Sequence, residues 1–123
     1  MRRSLTAAAL AAPLLVVVAC GSNYGSTPTG PNAAPPPGAI VIDVLGINGA
    51  RSFSPNPSTV PAGQIVVWHN ADTVTHRVVL DDGRLDAGNI APGSYSAPMI
   101  LAEPGPYHCT IHPEMVGTIA GGQ

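Results

Sequence analysis

The string Tyr107-His108-Cys109-Thr110-Ile111-His112-Pro113-Glu114-Met115 sets a thiol, an imidazole and a thioether at successive intervals of three. A strand ending at Cys109, followed by a tight loop in which Pro113 limits the backbone, can aim all three side chains at one point. Imidazole suits several metals, but thiolate with thioether is a soft pair. Two histidines and a cysteine with a weak axial methionine form the set that serves copper electron transfer. Zinc would more often take further Cys or His and has little use for Met. The string supplies one histidine, and His76 is the best placed to supply the second. Two plainer readings stand beside this one. Cys109 as an inert buried thiol, the commonest fate of a lone cysteine, leaves its spacing to His112 and Met115 without a purpose. Met115 as core filler leaves copper three-coordinate or held by another axial group.

His76 opens the run HRVVL after residues 71–75, and a strand mouth of that kind can face the same end of a sandwich as the Cys109 loop. The pocket is then prepared by long-range folding before any metal arrives. From Ala39 onward the chain alternates short β-branched runs (AIVIDVLGI, QIVVWHN, HRVVL, YSAPMI, PYHC, VGTIA) with turn signals such as Asp81-Asp82-Gly83, Asn48-Gly49 and Ala91-Pro92-Gly93. Such a text predicts a small antiparallel sandwich or barrel with no helix of useful length. Its core would be mostly Val, Ile and Leu around Trp68 and Phe53. His108 should point away from Cys109 by strand alternation, and His69 alternates likewise with Trp68, so both are expected at the surface and not as ligands. Met99 is expected in the core. Asp81, Asp82 and Asp86 are expected to form a solvated turn and not a calcium site.

These residues carry a resemblance to a known family. TVTHRVVL around His76 and the Cys-x-x-His-x-x-Met of YHCTIHPEM resemble the cupredoxins, in particular the plastocyanin and amicyanin group of type 1 (blue) copper proteins. SFSPNPSTVPAGQIVVWHN is similar to the early strands of that family, so the resemblance covers the whole folded part. It implies an all-β, cupredoxin-like Greek-key β-sandwich of about eight strands. One copper ion would lie near one end, held by His76, Cys109, His112 and axial Met115. Two positions depart from the family pattern: Arg77 stands where an asparagine often ties the two ligand loops together, and Glu114 stands inside the ligand loop.

At 123 residues the chain holds one domain at most. Only 10% of it is charged, lysine is absent, and Gly and Pro number 14 each, which disfavours an all-α fold. The formal charge of −2 becomes −4 once Arg2 and Arg3 are set aside, so no nucleic-acid surface is expected. Arg2-Arg3 precedes an uncharged stretch, Leu5 to Ala19, that contains Pro13 and is shorter than the ~20 apolar residues of a spanning helix. It reads as an export signal. Val17-Val18-Ala19-Cys20 resembles the bacterial lipobox, with Cys20 the lipidated first residue of the mature chain; the alternative is an ordinary signal peptide that leaves Cys20 a free thiol. A Cys20–Cys109 disulfide is open only in that second case. The rest of segment 20–38 is a Gly/Pro/Ser-rich tether, whose 18 residues would reach about 23 Å if fully flexible.

The expected organisation is a signal peptide at 1–19, a lipidated cysteine and tether at 20–38, and a cupredoxin domain at 39–123. Four histidines are too few for additional His-rich copper centres, and a two-copper centre would need a cysteine pair. Enzyme activity is therefore not expected. The expected function is single-electron transport by a monomer in the cell envelope, exported and anchored to the membrane by its lipid. Its partners would be redox proteins such as c-type cytochromes or oxidases. The alternative is a copper-delivery lipoprotein whose metal is cargo.

Overall fold

The computed structural model describes residues 33–123. Nine strands and one short 3-10 turn follow in order: β1 (Ile40–Val44), the turn Gly49–Arg51, β2 (Phe53–Ser54), β3 (Ser58–Pro61), β4 (Ile65–Asn70), β5 (His76–Leu80), β6 (Asp86–Ile90), β7 (Met99–Ile100), β8 (Gly105–Cys109) and β9 (Val116–Gly122). They form two sheets, one ordered β2-β1-β4-β7 and the other β3-β9-β8-β5-β6. The fold is an all-β sandwich. Among the described residues no helix is long and apolar enough to cross a membrane.

The expected sandwich forms, but two of its strand pairs are parallel where antiparallel pairing was expected. β1 runs parallel to β4, with Ile40 opposite Val66 and Val44 opposite Asn70, and β3 runs parallel to β9 from Ser58–Ile119 to Pro61–Gly122. A parallel pair cannot be closed by a tight hairpin. Here the chain leaves the first sheet after β2, runs β3 in the second and returns as β4, and that crossover makes the β1–β4 pairing possible.

Strand alternation decides what reaches the interior. In β5 the side chains of His76, Val78 and Leu80 are buried while Arg77 is exposed. In β8 Tyr107 and Cys109 are buried and His108 is turned outward. The core gathers Ile42, Val44, Phe53, Val60, Val66, Trp68, Val78, Leu80, Ile90, Tyr107 and Ile119, with Met99 packed against its margin. Tyr107 joins the two aromatics that composition singles out: its ring meets Phe53 edge-on at 4.8 Å and Trp68 at 5.7 Å. Burial pushes its phenol well above the usual range, so Tyr107 stays neutral.

Two runs differ from expectation in extent. YSAPMI yields a strand only at Met99–Ile100, with Tyr95 contributing a lone bridge to His69. β6, Asp-Ala-Gly-Asn-Ile, has a composition poor in strand formers. It pairs with β5 at the sheet edge, where Arg77 holds Asp86 by two hydrogen bonds.

Candidate metal centre

Two loops and the mouths of β5 and β8 assemble the site. β5 and β8 are antiparallel neighbours with Val78 opposite Cys109, which brings His76 to the end of the sheet where β8 stops. The chain then turns through residues 110–115. Met115 N–H donates to the His112 carbonyl at 2.9 Å, and Cys109 N–H donates to the Met115 carbonyl at 3.1 Å. The loop is thereby closed on itself, with His112 at its outer rim.

His76 Nδ1, Cys109 Sγ and His112 Nδ1 converge. The two nitrogens are 3.2 Å apart, and the sulfur lies 3.7 Å from His76 Nδ1 and 3.8 Å from His112 Nδ1. A point equidistant from all three stands about 2.1 Å from each, the length of a metal–nitrogen bond and slightly short of a typical metal–sulfur bond. The set therefore fits a metal ion. His76 and Cys109 are fully buried and His112 is half-buried, so one imidazole reaches the surface and the other two donors do not. Two grooves on the protein lie elsewhere: one of about 60 Å³ runs beside Leu80, Arg84 and Glu103, and one of about 170 Å³ runs beside Asn56, Asp81 and Thr118.

Backbone groups tie the two ligand loops together. Arg77 N–H points at Cys109 Sγ at 3.5 Å, and the Arg77 carbonyl accepts from Thr110 N–H at 2.9 Å. The Arg77 side chain turns away to Asp86, so at this position it is the backbone that ties the two loops together. Glu114 is exposed. Met115 is completely buried next to the loop closure.

Three residues that spacing alone did not single out shape the site. Asp72 Oδ2 accepts a hydrogen bond from His76 Nε2–H at 2.9 Å. That bond, with a second from Thr73 N–H, holds the Asp72 carboxyl below the usual carboxylate range. Asn70, fully buried, donates to the carbonyls of Val74 at 2.7 Å and Ile90 at 2.8 Å, and its Oδ1 accepts from Asp72 N–H. Tyr107 packs one step inward from Cys109 on the same face of β8. The available signal was a carboxylate four residues before a ligand histidine.

His69 and His108 stay out of the site, partly exposed on the outer faces as expected, and Asp81 and Asp82 lie in a turn, but Asp86 departs from the expected turn and opens β6. His69 Nδ1–H donates to Asp43 at 2.9 Å on the outer face, where its ring stacks on Tyr95, and His108 Nδ1–H donates to Asp81 at 2.6 Å. Asp82 and Asp86 pair with Arg84 and Arg77. Cys109 has no disulfide partner among the described residues. Cys20, the signal segment and most of the tether lie outside the described residues.

No family model and no curated protein matches the chain. Solved structures do. A reduced single-residue variant of amicyanin is 24% identical over 76% of this chain and 93% of its own, with a TM-score of 0.61. The Cu(I) form of another amicyanin variant is 25% identical over the same shares, also with a TM-score of 0.61. A purple cupredoxin from Nitrosopumilus maritimus is 24% identical over 68% of this chain and 99% of its own, with a TM-score of 0.56. The protein has the cupredoxin fold. Its candidate metal centre, one thiol between two imidazoles, lies where β5 begins and β8 ends.

Proposed function

We propose that the chain is a type 1 copper protein that carries single electrons in the cell envelope. The observation that carries this reading is the convergence of His76 Nδ1, Cys109 Sγ and His112 Nδ1 on one point at metal-bonding distance. Bound copper would supply the one-electron Cu(II)/Cu(I) couple. His76, Cys109 and His112 would hold it, with Met115 as a weaker fourth donor.

The protein's own contribution is rigidity and selective exposure. Cys109 is fixed through its N–H, through the Arg77 N–H at its sulfur, and through the β5 pairing. A fixed ligand set that suits both oxidation states keeps the reorganisation on electron transfer small. His112 offers the route outward, since it alone of the three reaches the surface. Val74 and Ile111, 42% and 47% exposed, sit beside the two ligand loops, with Leu45 and Ile47 in the segment after β1. These apolar side chains suit brief contact with another redox protein, such as a c-type cytochrome or an oxidase. Export as a lipoprotein, with Cys20 lipidated and residues 21–38 as tether, would place the domain at the membrane surface.

The test is voltammetry of the full chain loaded with one Cu(II). A reversible one-electron wave, with copper retained through repeated cycles, is expected. Copper that passes to a Cu(I) chelator within seconds of reduction would contradict the carrier and mark the metal as cargo.

A further inference from the structure

We propose that Asp72 is a positioning residue of the metal centre: by accepting the His76 Nε2–H it fixes the ring so that Nδ1 alone faces the other donors, and it makes that nitrogen a stronger ligand. The inference rests on the copper reading above for its consequences, and on the copper-free geometry for its cause.

An imidazole has two nitrogens, and in the neutral ring only one carries the proton. His76 is completely buried, so no solvent decides which. Asp72 Oδ2 lies 2.9 Å from Nε2, while Nδ1 faces Cys109 Sγ and His112 Nδ1. A carboxylate can only accept there, so the proton belongs on Nε2 and the lone pair on Nδ1.

Asp72 is itself held. Its Oδ1 accepts from Thr73 N–H at 2.7 Å and its own N–H donates to Asn70 Oδ1 at 3.0 Å. Asn70 is buried and fastened to Val74 and Ile90. The chain of contacts thus runs from Ile90 in β6, through Asn70 and Asp72, to His76 in β5. Among the described residues no carboxylate is hydrogen-bonded to His112, so the two imidazoles are not held alike. A hydrogen-bonded anion behind His76 also favours the higher charge on a metal at Nδ1, and so favours Cu(II) over Cu(I).

The experiment compares the full chain with Asp72→Asn and Asp72→Ala. In the copper-free proteins, ¹⁵N NMR of the imidazoles should find His76 wholly as the Nε2–H tautomer in wild type and in Asp72→Asn, whose amide oxygen still accepts. Asp72→Ala should show a mixture. With copper, Asp72→Ala should bind Cu(II) about 10–100-fold more weakly. The reduction potential should rise in both variants, by about 59 mV for each tenfold loss of Cu(II) over Cu(I) affinity. If Asp72→Ala keeps a single tautomer and wild-type affinity, the proposal is overturned. Should Asp72→Ala fail to fold, Asp72→Asn decides alone: a raised potential supports the role, and an unchanged one overturns it. A wild-type chain that takes up no copper would defeat the copper reading instead, and the tautomer comparison would still decide what Asp72 does.

Discussion

Met115 is buried against the loop that carries Cys109 and His112, and its backbone closes that loop through two hydrogen bonds. Its thioether can therefore be changed without releasing the loop, which separates packing from ligation. As a weak fourth donor it would tune the potential. Met115→Gln, which offers a harder oxygen, should lower the reduction potential, and Met115→Leu, which offers none, should raise it. Each shift should be about 59 mV or more, equivalent to a tenfold change in relative affinity, with copper retained. Voltammetry that finds both variants at the wild-type potential would make Met115 a packing residue. At this scale the sequence was largely readable. Cys109, His112 and Met115 stand close together in one string, and the donor atoms of Cys109 and His112 converge with that of His76. Asp72 was not readable as a partner of His76, because a hydrogen bond between side chains four apart in a loop depends on the loop's path. Asn70 sets that path from the interior.

Strands β8 and β9 fit closely around one side chain. Pro106 and Tyr107 of β8 face Thr118 and Gly117 of β9, and a Cβ built on Gly117 would fall 2.2 Å from Tyr107 Cζ. Gly117 thus leaves room for the ring that packs between Phe53 and Trp68 behind the metal centre. Gly117→Ala should destabilise the copper-free chain by about 1–3 kcal/mol, as overpacking in a filled core does. Chemical denaturation measures this, and a variant as stable as wild type would show that Tyr107 has another place to go. The runs rich in Val and Ile announced β1, β4, β5 and β9 because β-branched side chains suit a pleated, half-buried surface. β6 did not announce itself: Asp86, Gly88 and Asn89 make a strand only because β5 offers its edge and Arg77 grips Asp86. Parallel pairing was equally hidden. The direction of β4 against β1 depends on where the intervening chain crosses between sheets, and local composition carries no record of that.

The described residues form a small sandwich whose candidate metal end is prepared by contacts between residues far apart in sequence. Residues 33–38 enter it as irregular chain, with Gln64 Nε2–H donating to the Gly38 carbonyl just before β1 begins. The proposed lipid attachment at Val17-Val18-Ala19-Cys20 would decide where the domain works. Cys20→Ala should release the protein from membranes or block its processing, leaving the copper spectrum of the folded domain unchanged. Fractionation with mass spectrometry checks this; wild-type chain found wholly soluble, with unmodified Cys20, would remove the anchor. Whether a Cys109 thiolate binds copper together with His76 and His112 is read from the optical and electron paramagnetic resonance spectra of the full chain after one equivalent of Cu(II), recorded beside Cys109→Ser. An intense visible charge-transfer band from the Cys109 thiolate is expected, and it should be lost in the serine variant. A colourless wild-type protein with full copper occupancy would contradict thiolate ligation.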